Sequence, residues 1–135
     1  MKEKIFHADD ASLDSVLGFV EEELEAADCP MKTVMQITVC VEEIFVNIAH
    51  YSYAGVDGGG DMKLSMSTDG GNAVITFEDS GIPFDPLAKS DPDITLPAEE
   101  RNIGGLGIFM VKKSMDSVSY EYKDGKNIFT MSKQF

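Results

Sequence analysis

The chain has 135 residues, enough for one domain with its own core and too few for two. Apolar residues make up 43% and charged residues 26%, the mix of a folded globular chain rather than a disordered tail. Eleven basic against 24 acidic residues leave a net charge of −13, which repels polyphosphate backbones and anionic lipid and argues against direct nucleic-acid and membrane partners, though not against a small anion in a local site.

The start, Met-Lys-Glu-Lys-Ile-Phe-His, has no apolar stretch of the signal-peptide kind, and no run approaches a membrane span. A cytoplasmic single domain over 1–135 is therefore expected. Residues 2–7 predict a short opening strand with Ile5 or Phe6 facing inward. Leu13, Val16, Leu17, Val20 and Leu24 recur at helical spacing. They predict an amphipathic helix over 11–27, capped by Asp9 or Asp10 and wet along Glu21, Glu22, Glu23 and Glu25. Asp28-Cys29-Pro30 breaks it. A second helix over 31–51 carries the stripe Val34, Ile37, Val41, Ile44, Phe45 and Ile48. Val39, Cys40 and Val46 are apolar too, so this helix is buried on most sides. Cys29 and Cys40 match neither a metal nor a redox pattern, and near one helix they would stand roughly 16 Å apart, which leaves them reduced thiols. His7 and His50 are too few and too far apart in sequence for zinc.

Gly55, Gly58, Gly59 and Gly60 mark a loop. Met62, Leu64 and Met66 alternate with Lys63, Ser65 and Ser67 over 61–68. Asp69-Gly70-Gly71-Asn72 reads as a hairpin turn, and Ala-Val-Ile-Thr-Phe-Glu returns as a strand over 73–78. Asp79-Ser80-Gly81 then leaves the sheet. Residues 82–103 have no period and hold Pro83, Pro86, Pro92 and Pro97, which predicts a lid or binding loop. Arg101 ends an acidic stretch there. Gly104-Gly105-Leu106-Gly107 leads into a helix over about 108–116 with Ile108, Val111 and Met115 inside. Residues 117–123 and 127–134 form a closing hairpin around Asp124-Gly125-Lys126. Met62, Met66, Met110 and Met115 are expected in the core. Two hairpins make an antiparallel sheet, and three helices need a face to cover. The expected class is α+β: a two-layer α/β sandwich, a mainly antiparallel sheet with three helices on one face.

Three constellations carry chemistry. Glu43 and Asn47 stand one helical turn apart, with His50 on the same narrow stripe, between apolar Val39, Cys40 and Val46. An amide oxygen suits a hard cation, and a carboxylate can take a proton from an attacking hydroxyl. Asp79-x-Gly81 puts a carboxylate at a strand end, able to accept from an exocyclic amine, beside a glycine that admits a flat ring. Gly104 to Gly107 open a helix, where free N–H groups favour phosphate. Each alone has an ordinary structural reading. Lys112 and Lys113, at the far end of that helix, complement its dipole.

In this order and spacing the three resemble the N, G1 and G2 boxes of the GHKL ATPase superfamily. Val-Glu-Glu-Ile-Phe-Val-Asn-Ile-Ala-His-Tyr-Ser-Tyr (41–53), Glu-Asp-Ser-Gly-Ile-Pro-Phe-Asp-Pro (78–86) and Gly-Gly-Leu-Gly-Ile-Phe-Met-Val-Lys-Lys-Ser-Met-Asp (104–116) are similar to those of its anti-sigma factor serine kinases. The resemblance implies the Bergerat fold, ATP and Mg²⁺. It implies Glu43 as catalytic carboxylate, Asn47 as Mg²⁺ ligand, Asp79 as the adenine-reading aspartate and Gly81 beneath the base. Gly104, Gly105 and Gly107 would cradle phosphate, with Arg101 near the γ-phosphate and Thr130 supporting the adenine through water. His50, on the same stripe, and Leu106, inside the glycine turn, are grouped with the ATP-binding residues. The implied activity is that of a protein serine kinase acting on an anti-anti-sigma (STAS) protein. A sigma factor and a homodimer are further expectations. The alternative is a nucleotide-binding regulatory module without kinase turnover. One position departs from the family: the G1 pattern Asp-x-Gly-x-Gly ends here in Pro83, which lacks an N–H and stiffens the chain.

Overall fold

Helix and strand boundaries follow from local chemistry. In a computed structural model, residues 1–88 and 105–135 are described. They form β1 (Lys2–His7), α1 (Leu13–Ala26), α2 (Met31–Asn47), β2 (Asp61–Ser67), β3 (Asn72–Asp79), α3 (Gly105–Ser114), β4 (Ser117–Lys123) and β5 (Lys126–Gln134). A short 3-10 turn precedes α1, capped where Asp9 Oδ1 accepts the Ser12 N–H at 3.0 Å. Asp28 ends α1 with φ +59, in the left-handed region. The Asp28 N–H then donates to Glu25 O and the Cys29 N–H to Leu24 O, both at 3.0 Å, which closes the helix in a Schellman motif. Pro30, extended and lacking an N–H, caps α2.

The sheet is antiparallel throughout, in the order β1-β2-β3-β5-β4. Side chains alternate across it. Leu64, Ile75, Phe77 and Met131 face the helices and are buried with Val20 of α1, Phe45 of α2 and Val111 of α3 in one core. Burying a side chain such as Phe45 is worth about 1.5–3 kcal/mol, and this contact of helices with one sheet face is what holds the two layers together. The expected α+β two-layer sandwich is the observed architecture. The other sheet face is polar, with Lys63 Nζ 3.0 Å from Glu78 Oε2 and Lys126 Nζ 3.7 Å from Glu78 Oε1.

Three details differ from the expectation. The second helix is α-helical only to Asn47, because residues Ile48–Ser52 form a π-turn. The third begins at Gly105, three residues early, with Met115 just past its end. Met110 is 51% exposed rather than in the core, since it lies on the face of α3 turned from the sheet. Phe6, not Ile5, is the inward residue of β1. Most of the aperiodic stretch expected to be a lid, with Arg101 and Gly104, lies outside the described residues. Both cysteines are free, and burial pushes both thiols up. No helix among the described residues is long and apolar enough to cross a membrane.

Candidate functional site

The inward series Ala73, Ile75, Phe77 continues by the period of two to Asp79, the last residue of β3, which is only 3% exposed. A carboxylate so placed needs donors. Asp79 Oδ1 accepts the Gly81 N–H at 2.9 Å and Asn127 Nδ2 at 3.0 Å, and Oδ2 accepts the Ser52 hydroxyl at 3.3 Å. Burial pushes the Asp79 carboxyl above its ordinary range, and the bonds from Asn127, Gly81 and Ser52 pull it back. Gly81 lies directly on the backbone of Ser52, where an added Cβ would fall on the Ser52 carbonyl. The next N–H, of Ile82, donates to that same carbonyl at 2.8 Å. Only glycine lets the loop after β3 reach the end of the π-turn so closely.

Asn127, opposite Asp79 in the β3–β5 register, ties this corner together. Besides Asp79, its Nδ2 donates to Ile82 O at 2.8 Å. Its Oδ1 accepts the Phe84 N–H at 3.0 Å and the Tyr120 hydroxyl. Asp79, Asn127, Asn47, Phe84 and Pro86 line a cavity of about 20 Å³, room for about one water. The Phe84 ring stacks on Tyr51 at 5.2 Å and helps to close this space.

On α2, one helical turn sets Asn47 over Glu43. Asn47 Nδ2 donates to Glu43 O at 2.8 Å and to Glu43 Oε1 at 3.0 Å. The amide oxygen therefore points away from Glu43. The Glu43 carboxylate rests on Gly107, in the first turn of α3, where an added Cβ would fall on it. Glu43 also opens onto a groove of about 590 Å³ between α2 and α3, walled by Val39, Cys40, Met110 and Val111. The Glu43–Asn47 pair thus stands between this groove and the small cavity at Asp79.

Glu43, Asn47 and Gly107 meet at one end of the site, and Asp79 and Gly81 at the other. Gly105 and Leu106 open α3. Two residues expected at the site lie elsewhere. His50 sits in the π-turn, whose i→i+5 winding breaks the stripe of Glu43 and Asn47, and Asp10 Oδ1 accepts from its Nε2 at 2.8 Å. Thr130 is on the opposite sheet face from Asp79, paired with Thr76 at 3.3 Å between hydroxyls.

A histidine kinase-like ATPase domain profile matches residues 6–133. The chain belongs to this family. The domain is 22% identical over 96 residues to the serine/threonine-protein kinase BtrW of Bordetella bronchiseptica, covering 71% of this chain and 67% of that protein. Its fold is similar to the RsbU and RsbW domains of Rv1364c from Mycobacterium tuberculosis, with a TM-score of 0.64 at 14% identity. That match takes in 99% of this chain but 32% of the other, so the domain spans about a third of that protein. It is also similar to a chain of the SiaB–SiaC complex from Pseudomonas aeruginosa, with a TM-score of 0.58 at 16% identity, covering 100% of this chain and 90% of that one.

Sequence reasoning missed Asn127, Ser52 and Tyr120 in this ATPase domain. One signal for Asn127 was present: it is the polar member of the inward series Asn127, Phe129, Met131. A polar residue in such a series needs a buried partner.

Proposed function

We propose that this chain is a single ATP-binding domain that acts as an anti-sigma-type protein serine kinase on an anti-anti-sigma (STAS) partner. The observation that carries this reading is the Glu43 carboxylate, held by Asn47 against the first turn of α3 and open to the groove. The base would lie at Asp79, with its amino group donating to the carboxylate, and the phosphates would run past Asn47 to the glycines that open α3. The positive end of the helix favours them there. The Asn47 amide oxygen fits a hard cation. That amide oxygen and the phosphates would hold Mg²⁺. Bound there, it would neutralise charge on the phosphates.

Glu43 then takes the proton of an incoming serine hydroxyl as its oxygen attacks the γ-phosphorus and ADP leaves. The groove beside Glu43 leaves room for that hydroxyl to approach. Kinship with a serine/threonine kinase supports the same chemistry. A second reading, a regulatory nucleotide-binding module without turnover that holds a sigma factor or another signalling protein, is favoured by Pro83, which stiffens the chain at the entrance to the Asp79 site.

One experiment separates them: Mg-ATP titration of the protein, then phosphate transfer to a purified STAS protein by wild type and Glu43→Gln. Transfer by the wild type, lowered about 100-fold or more in the variant with nucleotide affinity retained, supports the kinase. Equal transfer by both would remove Glu43 from the mechanism. Nucleotide binding with no transfer by the wild type would favour the module.

A further inference from the structure

Asn127 is 4% exposed, and its amide is fully used. An amide offers two donor hydrogens and two acceptor lone pairs. Asp79 Oδ1 and Ile82 O take the hydrogens, at 3.0 and 2.8 Å. The Phe84 N–H, at 3.0 Å, and the Tyr120 hydroxyl take the lone pairs. A reversed amide would set its oxygen against the Asp79 carboxylate and the Ile82 carbonyl, and a hydrogen against the Phe84 N–H, so the orientation is locked.

That lock has a chemical result. Asp79 Oδ1 is occupied by Asn127 and the Gly81 N–H, whereas Oδ2 has the longer bond, 3.3 Å from the Ser52 hydroxyl. Oδ2 is the oxygen with acceptor capacity to offer a base. An adenine presents an amino donor there, while a guanine presents a carbonyl oxygen, acceptor against acceptor. A buried polar site rejects the ligand that leaves it unpaired. The same amide holds the backbone on either side of Pro83, and Phe84 and Pro86 wall the cavity.

We infer that Asn127 is a positioning residue that sets base selectivity, fixing which Asp79 oxygen faces the nucleotide and where the 82–84 stretch stands over it. This rests on the nucleotide-binding reading above. Among the described residues, Tyr53, from the loop after α2, and Tyr120, from β4, are titratable groups beside Asp79, with Asp61, Asp85 and Tyr122 behind them and Lys63, Glu78 and Lys126 lining a neighbouring pocket with it. Burial pushes the Tyr53 and Tyr120 phenols up, so they stay neutral in the acid range. Beside them α2 contributes the neutral Ile44 and Asn47, and β2 pairs Met62 with Asp79.

The test measures ATP and GTP affinity of wild type, Asn127→Leu and Tyr120→Phe between about pH 5 and about pH 8, with melting temperatures alongside. Asn127→Leu is expected to compress the ATP-over-GTP preference about tenfold. It should also move the acid limb of ATP binding to higher pH, because a bond favouring the charged carboxylate is gone. Tyr120→Phe removes one anchor of the amide and shifts the same readouts less, and it stands in if Asn127→Leu does not fold. Variants that melt earlier but keep the wild-type preference and acid limb make Asn127 mere scaffold and overturn the inference alone. A wild type that binds no nucleotide overturns the reading beneath it as well.

Discussion

Burial works against the ionised form of Asp79, and that has a measurable sign. Its pKa is raised in the folded chain by desolvation. The native state is therefore penalised when Asp79 is ionised, at pH above the folded value. The penalty vanishes below the unfolded value of about 3.9. Asp79→Asn keeps the shape and the bonds from Gly81 and Asn127 while removing the charge. It is expected to raise the melting temperature of the nucleotide-free protein at neutral pH, with the gain shrinking as pH falls and the wild-type group protonates. ATP affinity should drop about tenfold or more, because the acceptor for the amino group is lost. A neutral-pH melting temperature lower than wild type would show that the hydrogen bonds outweigh the burial. Gly81 and Gly107 belong to the same scale, each occupying a spot where a methyl group would strike a neighbour.

Between elements, the decisive contact is the stretch from Ile82 to Pro86 against β5 and the π-turn. Pro83 lacks an N–H, yet nothing is lost here, since the amides on either side, of Ile82 and Phe84, are the ones bonded. The Phe84 and Pro86 side chains narrow the cavity at Asp79 to about 20 Å³, far below a ligand-sized pocket of about 300 Å³ or more, so nucleotide binding requires the Phe84 ring to swing aside over the backbone that Asn127 holds. Phe84→Ala removes the ring stacked on Tyr51 and favours the open arrangement. If that arrangement is populated to about a tenth in the wild type, ATP affinity rises by up to about tenfold in the variant. Stopped-flow mixing with a fluorescent ATP analogue reads the accompanying gain in association rate. An unchanged rate would place the barrier elsewhere.

Over the whole molecule, a net charge of −13 opposes both compaction and the approach of an anionic nucleotide. Raising salt to physiological strength shortens the screening length to about 8 Å. Melting temperature and ATP association rate are both expected to rise with salt, as thermal melts and stopped-flow traces would record. An association rate that fell instead would mean that a local positive field at the site outweighs the global one.

Whatever depended on periods within one segment was legible in the sequence. Helical spacing alone puts Asn47 over Glu43. Strand alternation alone sets Met62, Leu64 and Met66 on one face of β2, and the motif order brings in the glycines of α3. Residues far apart in the chain were decided only by the tertiary structure. The β3–β5 register pairs positions about fifty apart, and a slip of one residue would exchange the two faces of β5. That is why Asn127 stands beside Asp79 and Thr130 does not. Likewise the π-turn, wound where α2 meets the loop after β3, sends His50 to Asp10. Local periodicity is set by the backbone of a single segment, whereas register and close approach are set by how separate segments pack, which no one of them encodes.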